Sequence, residues 1–295
     1  MSPRFGISPA LVTPFIQGKV DVERLAVHTM DCLARGCRTA TVFGTTGEGP
    51  SVSAEERERV AAALVERGIA PRQLVEGVIA CSVDEAASST RRALDRGADA
   101  VLLAPPFYFR PALDEAVAAW YEAVFAAVGD DLRDIILYHI PAMTGVPLSH
   151  AVVRRLVQGF PGAIRGVKDS AGDPDATFAL IEAFPDLDIL VGDETYLGRA
   201  CGAGAAGSIC GAANIIPEAM IALVESGRDD PRIVRLVQEI ISHPIIPMVK
   251  ALVAHVRGDR AWTVVQPPLS MIDEQTAAPV IRLLEPFEPL ARSVA

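Results

Sequence analysis

Short apolar runs alternate along this chain with longer stretches in which apolar side chains return every three or four positions. The short runs lie at Ile7–Thr13, Arg38–Phe43, Leu74–Ile79, Asp99–Ala104, Asp134–His139, Ala163–Lys168, Asp188–Gly192 and Ala206–Cys210. Near-continuous apolar runs predict strands of a parallel sheet covered on both faces. The intervening stretches predict helices. "DVERLAVHTMDCLARG" stops on Gly36, and "SAEERERVAAALVERG" opens on Ser53 with Glu56 three residues on and stops on Gly68. Ser53 and Glu56 have the spacing of a capping box. The phrase helix–glycine–strand recurs as "ARGCRTATVF", "DRGADAVLLA" and "GAGAAGSIC".

Eight strands alternating with helices predict a (β/α)8 TIM barrel over residues 1–215. An open doubly wound sheet would carry a glycine-rich turn after its first strand, and "VTPFIQGKVD" is not one. After Cys210 the pattern is helical only, so residues 216–295 are expected as a C-terminal helical extension packed on the barrel. "HPIIPMVK" and "QPPLS" read as turns between its helices.

Composition narrows the function classes. Half the residues are hydrophobic and mean hydropathy is +0.30, enough for one large core. The net charge of −10, with no basic cluster, argues against nucleic acid and anionic membrane as partners. Cys32, Cys37, Cys81, Cys201 and Cys210 are scattered, odd in number and without a CxxC pair, as expected of reduced thiols in a cytoplasmic protein. "MSPRFGISPALVTPF" lacks the pattern of a secretory signal, and no stretch reaches the roughly 18 uninterrupted apolar residues of a membrane span. No HxH, HExxH or carboxylate cluster points to a metal, and no cofactor is expected.

In such a barrel the chemistry sits at the carboxyl ends of the strands. The second strand runs into "GTTGEGPS", where Gly44 and Gly47 flank Thr45 and Thr46. Glycines admit close backbone approach, and free N–H groups with two hydroxyls suit a small carboxylate or phosphate. The same turn also reads as an ordinary connection with a cap. The fourth strand ends in "APPFYFRP", with Tyr108 in an aromatic loop that serves either the site or a subunit contact. The fifth ends in "YHIP", and Tyr138 there can shuttle a proton. By alternation His139 faces the helices instead. The sixth ends on Lys168. Beside apolar walls its ammonium is disfavoured and the neutral amine becomes a nucleophile that forms Schiff bases with ketones. A structural lysine paired with Asp169 or Asp193 is the competing reading. The seventh ends in "VGDETYLG", whose Asp193 and Glu194 suit substrate hydroxyls or a helix cap.

Together "GTTGE", "YHIP" and "GVKDS", in this order, resemble the pyruvate-dependent class I aldolases that include dihydrodipicolinate synthase, N-acetylneuraminate lyase and 2-keto-3-deoxygluconate aldolase. The resemblance spans nearly the whole chain. It implies a homotetramer built as a dimer of dimers and a pyruvate-type 2-oxo acid substrate. It implies Lys168 as the Schiff-base lysine and Tyr138 as the proton-transferring tyrosine. Thr45, Thr46 and Gly47 would hold the carboxylate, with Thr45 also in a hydroxyl relay. Tyr108 would be a relay tyrosine inserted by a neighbouring subunit, and Ile209 would present its backbone carbonyl to the pyruvate unit. Met143 stands where the synthase branch carries an arginine for a second carboxylate, and a thioether cannot replace it. "GDE" at Gly192–Glu194 resembles the branch that binds sugar-acid hydroxyls. The expected activity is therefore C–C cleavage or formation in a 2-oxo acid such as a 2-keto-3-deoxy sugar acid. Dehydration of such an acid is the alternative, and dihydrodipicolinate synthesis is disfavoured by Met143.

Overall fold

Each of the eight apolar runs contains a strand in the computed structural model, which describes residues 5–287. The strands are β1 (Gly6–Pro9), β2 (Ala40–Val42), β3 (Leu74–Val78), β4 (Ala100–Leu103), β5 (Ile135–His139), β6 (Ile164–Asp169), β7 (Asp188–Val191) and β8 (Gly207–Cys210). All pair in parallel, in sequence order from β2 to β8, and β8 pairs with β1. A bridge between Ala10 and Thr41 joins β1 to β2 and closes the sheet into a (β/α)8 barrel. β1 stops before Thr13 because the chain turns out of the sheet after this bridge, and Val12 N–H donates to the Asn214 side chain instead.

The helices between strands are α1 (Val22–Ala34), α2 (Ala54–Glu66), α3 (Val83–Arg96), α4 (Asp114–Val128), α5 (His150–Gly159), α6 (Pro174–Ala183) and α7 (Leu197–Gly202). α8 (Pro217–Ser226) packs on β1 and α7 and completes the ring. The extension consists of α9 (Pro231–Ile241), α10 (Ile245–Arg257) and α11 (Glu274–Arg282), so we place its start at Pro231; residues 288–295 lie outside the described residues. α10 begins inside "HPIIPMVK", read above as a turn, because Pro244 and Pro247 occupy the cap and first turn, where a missing N–H costs nothing.

The expected capping box of α2 is half formed. Ser53 Oγ accepts from Glu56 N–H at 3.2 Å, but the Glu56 carboxylate accepts from Val20 N–H at 3.1 Å and pairs with Arg59. That glutamate ties the helix to the hairpin of Phe15–Ile16 and Lys19–Val20 instead.

Alternation along the strands separates two cores. Phe5, Val75, Leu102, Ile136, Tyr138, Leu190 and Ile209 point into the barrel and form the inner cluster. Their neighbours, such as Val101, Leu137, Val167 and Ile189, pack outward against the helices. Lys168 shares parity with Gly166 and so points inward. Inward glycines make room for backbone: a Cβ on Gly166 would stand 2.1 Å from the Asp188 carbonyl oxygen.

Candidate active site

β5 and β6 are in register with Tyr138 beside Lys168 and His139 beside Asp169. The first pair faces inward and the second faces the helices, as alternation requires. Lys168 and Tyr138 are both buried. Lys168 Nζ donates to the Tyr138 hydroxyl at 3.3 Å and sits 4.4 Å from the centre of its ring. The Tyr138 oxygen in turn lies 3.1 Å from Thr45 Oγ1. A lysine, a tyrosine and a threonine from three strand ends thus form one hydrogen-bonded chain. Among the described residues no ion pair joins Lys168 to Asp169 or Asp193; its hydrogen bond goes to Tyr138.

Behind this pair, His139 Nδ1 lies 3.0 Å from Asp169 Oδ1, and Thr177 Oγ1 donates to Asp169 Oδ2 at 2.6 Å. Burial alone would push the Asp169 carboxyl up. Hydrogen bonds from His139, Thr177 and the Ala171 N–H outweigh it and hold the group below the usual carboxylate range. This outer contact pins the strand ends that carry the inner pair.

Lys168 opens on a cavity of about 260 Å³. Thr45, Thr46, Tyr138, Met143, Asp193, Glu194 and Ile209 all line it, so with Lys168 eight of the expected residues come together. Gly47 is buried beside it and its carbonyl accepts from Thr13 Oγ1 at 2.6 Å. A Cβ on Gly47 would stand 2.8 Å from the Leu11 carbonyl oxygen, so only glycine fits the turn. The turn is also bracketed by two non-glycine residues in the left-handed region, Phe43 at φ 59° and Glu48 at φ 53°. Strain of this kind gathers at functional sites.

The acidic pair is partly engaged by the protein. Asp193 Oδ1 accepts from the N–H and hydroxyl of Thr195 at 2.9 and 2.6 Å. Glu194 Oε1 accepts from Ala212 N–H at 3.0 Å, and burial raises the Glu194 carboxyl above the ordinary range. Asp193 therefore closes a turn onto Thr195 and does not cap α7, whose cap position is Tyr196 without a side-chain bond, and one carboxylate oxygen of each residue is already committed.

Gly47 and Tyr108 are the two expected residues that do not line the cavity; Gly47 adjoins Thr46 in the turn, whereas Tyr108 lies in the exposed aromatic loop. Tyr108 is 75 % exposed, beside Phe109 at 84 %. Sequence reasoning passed over Ser170 and Gly172, which also line the cavity, and the apolar wall that the extension supplies through Val237, Ile240, Ile241, Ile245, Ile246 and Val249. Ser170 and Gly172 sit inside "DSAGD", where a turn explains every residue. The wall was legible only as the apolar face of a helix, with nothing local to say what it covers.

A barrel with a buried lysine, a tyrosine against it and a hydroxyl-bearing glycine turn defines an enzyme of the class I aldolase and lyase kind. The chain belongs to the dihydrodipicolinate synthetase family, whose model matches residues 4–286. Among curated relatives, an uncharacterised DapA-like lyase of Chloroflexus aurantiacus is 34 % identical over 216 residues, 72 % of this chain and 71 % of that protein. Among solved structures, dihydrodipicolinate synthase from Agrobacterium tumefaciens is 42 % identical with a TM-score of 0.94, over 96 % of this chain and 99 % of that one. The chloride-inhibited dihydrodipicolinate synthase from Acinetobacter baumannii, complexed with pyruvate, is 30 % identical with a TM-score of 0.83, over 95 % and 98 %. The mixed names fix the family and leave the substrate of this chain to its own residues.

Proposed function

We propose that the protein is a Schiff-base lyase that cleaves or forms a C–C bond in a 4-hydroxy-2-oxo acid, with a 2-keto-3-deoxy sugar acid as the substrate class and pyruvate and an aldehyde as products. The observation that carries this reading is the Lys168–Tyr138–Thr45 chain opening on a small cavity. Thr45, Thr46 and the turn N–H groups hold the substrate carboxylate. The Lys168 amine attacks the C2 ketone. The carbinolamine loses water, with Tyr138 delivering the proton to the departing hydroxyl, and an iminium forms. Tyr138, now a phenolate, takes the proton of the C4 hydroxyl. The C3–C4 electron pair moves into the iminium, the aldehyde leaves, and the enamine takes a proton at C3. Hydrolysis then frees pyruvate and Lys168.

The cavity supports an uncharged aldehyde. Lys168 is its sole cationic lining residue among those described, and Met143 offers no charge to a second carboxylate. A volume of about 260 Å³ is just under the ~300–1,000 Å³ of most ligand pockets, so the substrate is small. A specific observation favours a second reading, dehydration with all carbons retained. Glu194 lines the cavity with a carboxyl raised by burial, which suits an acid that protonates a leaving hydroxyl. The family resemblance further supports a homotetramer in the cytoplasm.

Borohydride reduction with pyruvate tests the Schiff base. A stable adduct is expected on the peptide carrying Lys168, and none on Lys168→Ala or Lys168→Arg, since a guanidinium stays protonated. An unlabelled wild-type enzyme sinks the proposal. A lactate-dehydrogenase-coupled assay on candidate acids separates the two readings, because turnover without pyruvate marks the dehydratase.

A further inference from the structure

Glu48 closes the turn that carries Thr45, Thr46 and Gly47, and its side chain points away from the cavity into the protein. Both Glu48 and Lys250 of α10 have no exposed side-chain surface, and their charged atoms meet at 2.5 Å. Lys250 also donates to the Thr13 carbonyl at 2.8 Å, and Glu48 Oε2 accepts from Gln266 N–H at 2.7 Å. Thr13 closes the circuit by donating its hydroxyl to the Gly47 carbonyl at 2.6 Å. The turn after β2, the chain after β1 and two segments of the extension therefore share one buried polar network, every charged atom of which has a partner.

Such a pair is a poor way to gain stability, since apolar residues of the same volume commonly do as well or better. What an ion pair adds is direction: it holds one backbone geometry and rejects its neighbours. Here the geometry held is a left-handed, non-glycine φ of 53° at Glu48, two residues after the hydroxyl of Thr46. We propose that the Glu48–Lys250 pair, with Thr13, is a positioning device that sets the carboxylate-holding turn, so that the extension acts on 2-oxo acid binding through α10. The proposal rests on the 2-oxo acid reading above.

The pair is tested with Glu48→Gln, Lys250→Met and the double variant, each followed by thermal melting and by the pyruvate concentration that gives half-maximal borohydride trapping at Lys168. Each single variant leaves an unmatched buried group and should melt early. The double variant removes both charges and should recover most of the melting temperature, yet still need at least about tenfold more pyruvate, as small misplacements of binding groups do. A pair with a merely structural role would restore trapping together with stability, and that result overturns the proposal. Thr13→Val covers the case of a double variant that does not fold, because it removes one hydroxyl only. Its pyruvate requirement for half-maximal trapping should rise while its melting temperature stays near wild type; an unchanged requirement again overturns the proposal. No trapping in the wild type overturns the 2-oxo acid reading itself, and this inference with it.

Discussion

Lys168 carries little information as a residue type, because most lysines are solvated. Its position does the discriminating. Inward parity on β6, a neighbour in register on β5 and a buried mouth convert a common side chain into a nucleophile candidate. In the proposed mechanism the proton steps depend on Tyr138, and Tyr138→Phe keeps the ring against Lys168 while removing the hydroxyl. Steady-state assays of this variant should show kcat reduced about 10²–10⁴-fold with KM changed far less. An unimpaired kcat would mean that protons travel by another route. The inward aim of Tyr138 was readable from sequence because strand alternation is a local rule, whereas Lys168 stood out only through its strand end and the motif resemblance. Glu48 and Lys250 were not readable as a pair, since they stand 202 positions apart and meet only once the chain between them has folded. Tyr108 shows the converse: its place at a strand mouth was plain, but a loop side chain has no alternation to aim it.

At the scale of elements, the site depends on how tightly strands and helices approach. Gly166 lies two residues before Lys168 and lets β6 press against Asp188 of β7. Backbone cannot rotate out of the way, so Gly166→Ala should destabilise the fold by about 2 kcal/mol or more and lower trapping at Lys168. A urea titration unchanged from wild type would show that the strands part easily. A second joint links α1 to the extension. His28 Nε2 donates to Asn214 Oδ1 at 3.0 Å, and Arg257 donates to His28 Nδ1 at 2.7 Å. Burial, and then the nearby Arg257 charge, lower the imidazole to about 4 from its ordinary 6.5. The folded protein therefore keeps His28 neutral at a pH where the unfolded chain would protonate it. Its contribution is complete above pH 6.5 and is lost as pH falls towards 4, on the order of 3 kcal/mol in all. Urea midpoints measured between pH 7 and pH 4.5 should fall less steeply in His28→Gln than in wild type; parallel profiles would assign the loss to other groups. Helix periodicity marked α1 as a helix, but it says nothing of which helix faces meet.

For the whole molecule, the aromatic loop is the feature a single chain leaves unexplained. Tyr108, Phe109 and Leu113 are all largely exposed, and clustered exposed apolar side chains mark contact surfaces. Sedimentation velocity should find a tetramer for the wild type and smaller species for Phe109→Asp, with activity falling as the assembly parts because Tyr108 does not reach its own cavity. A wild-type monomer of full activity would refute this. The barrel itself is unevenly knit. β5 and β6 share five paired positions around the reactive residues, whereas a single bridge joins β1 to β2 and a single pair joins β7 to β8. Amide hydrogen exchange should follow that pattern, slowest at Leu137–Tyr138 and fastest at the two thin seams. One of those seams lies under the turn of Thr45 and Thr46, and the other beside the wall of Ile209. The reacting bond would then be made on the part of the protein that opens last, while the parts that choose the substrate breathe. A lineage could change its diet by altering the seams and loops without disturbing the lysine and tyrosine, and the variety of names among its relatives is what such a division of labour would leave behind.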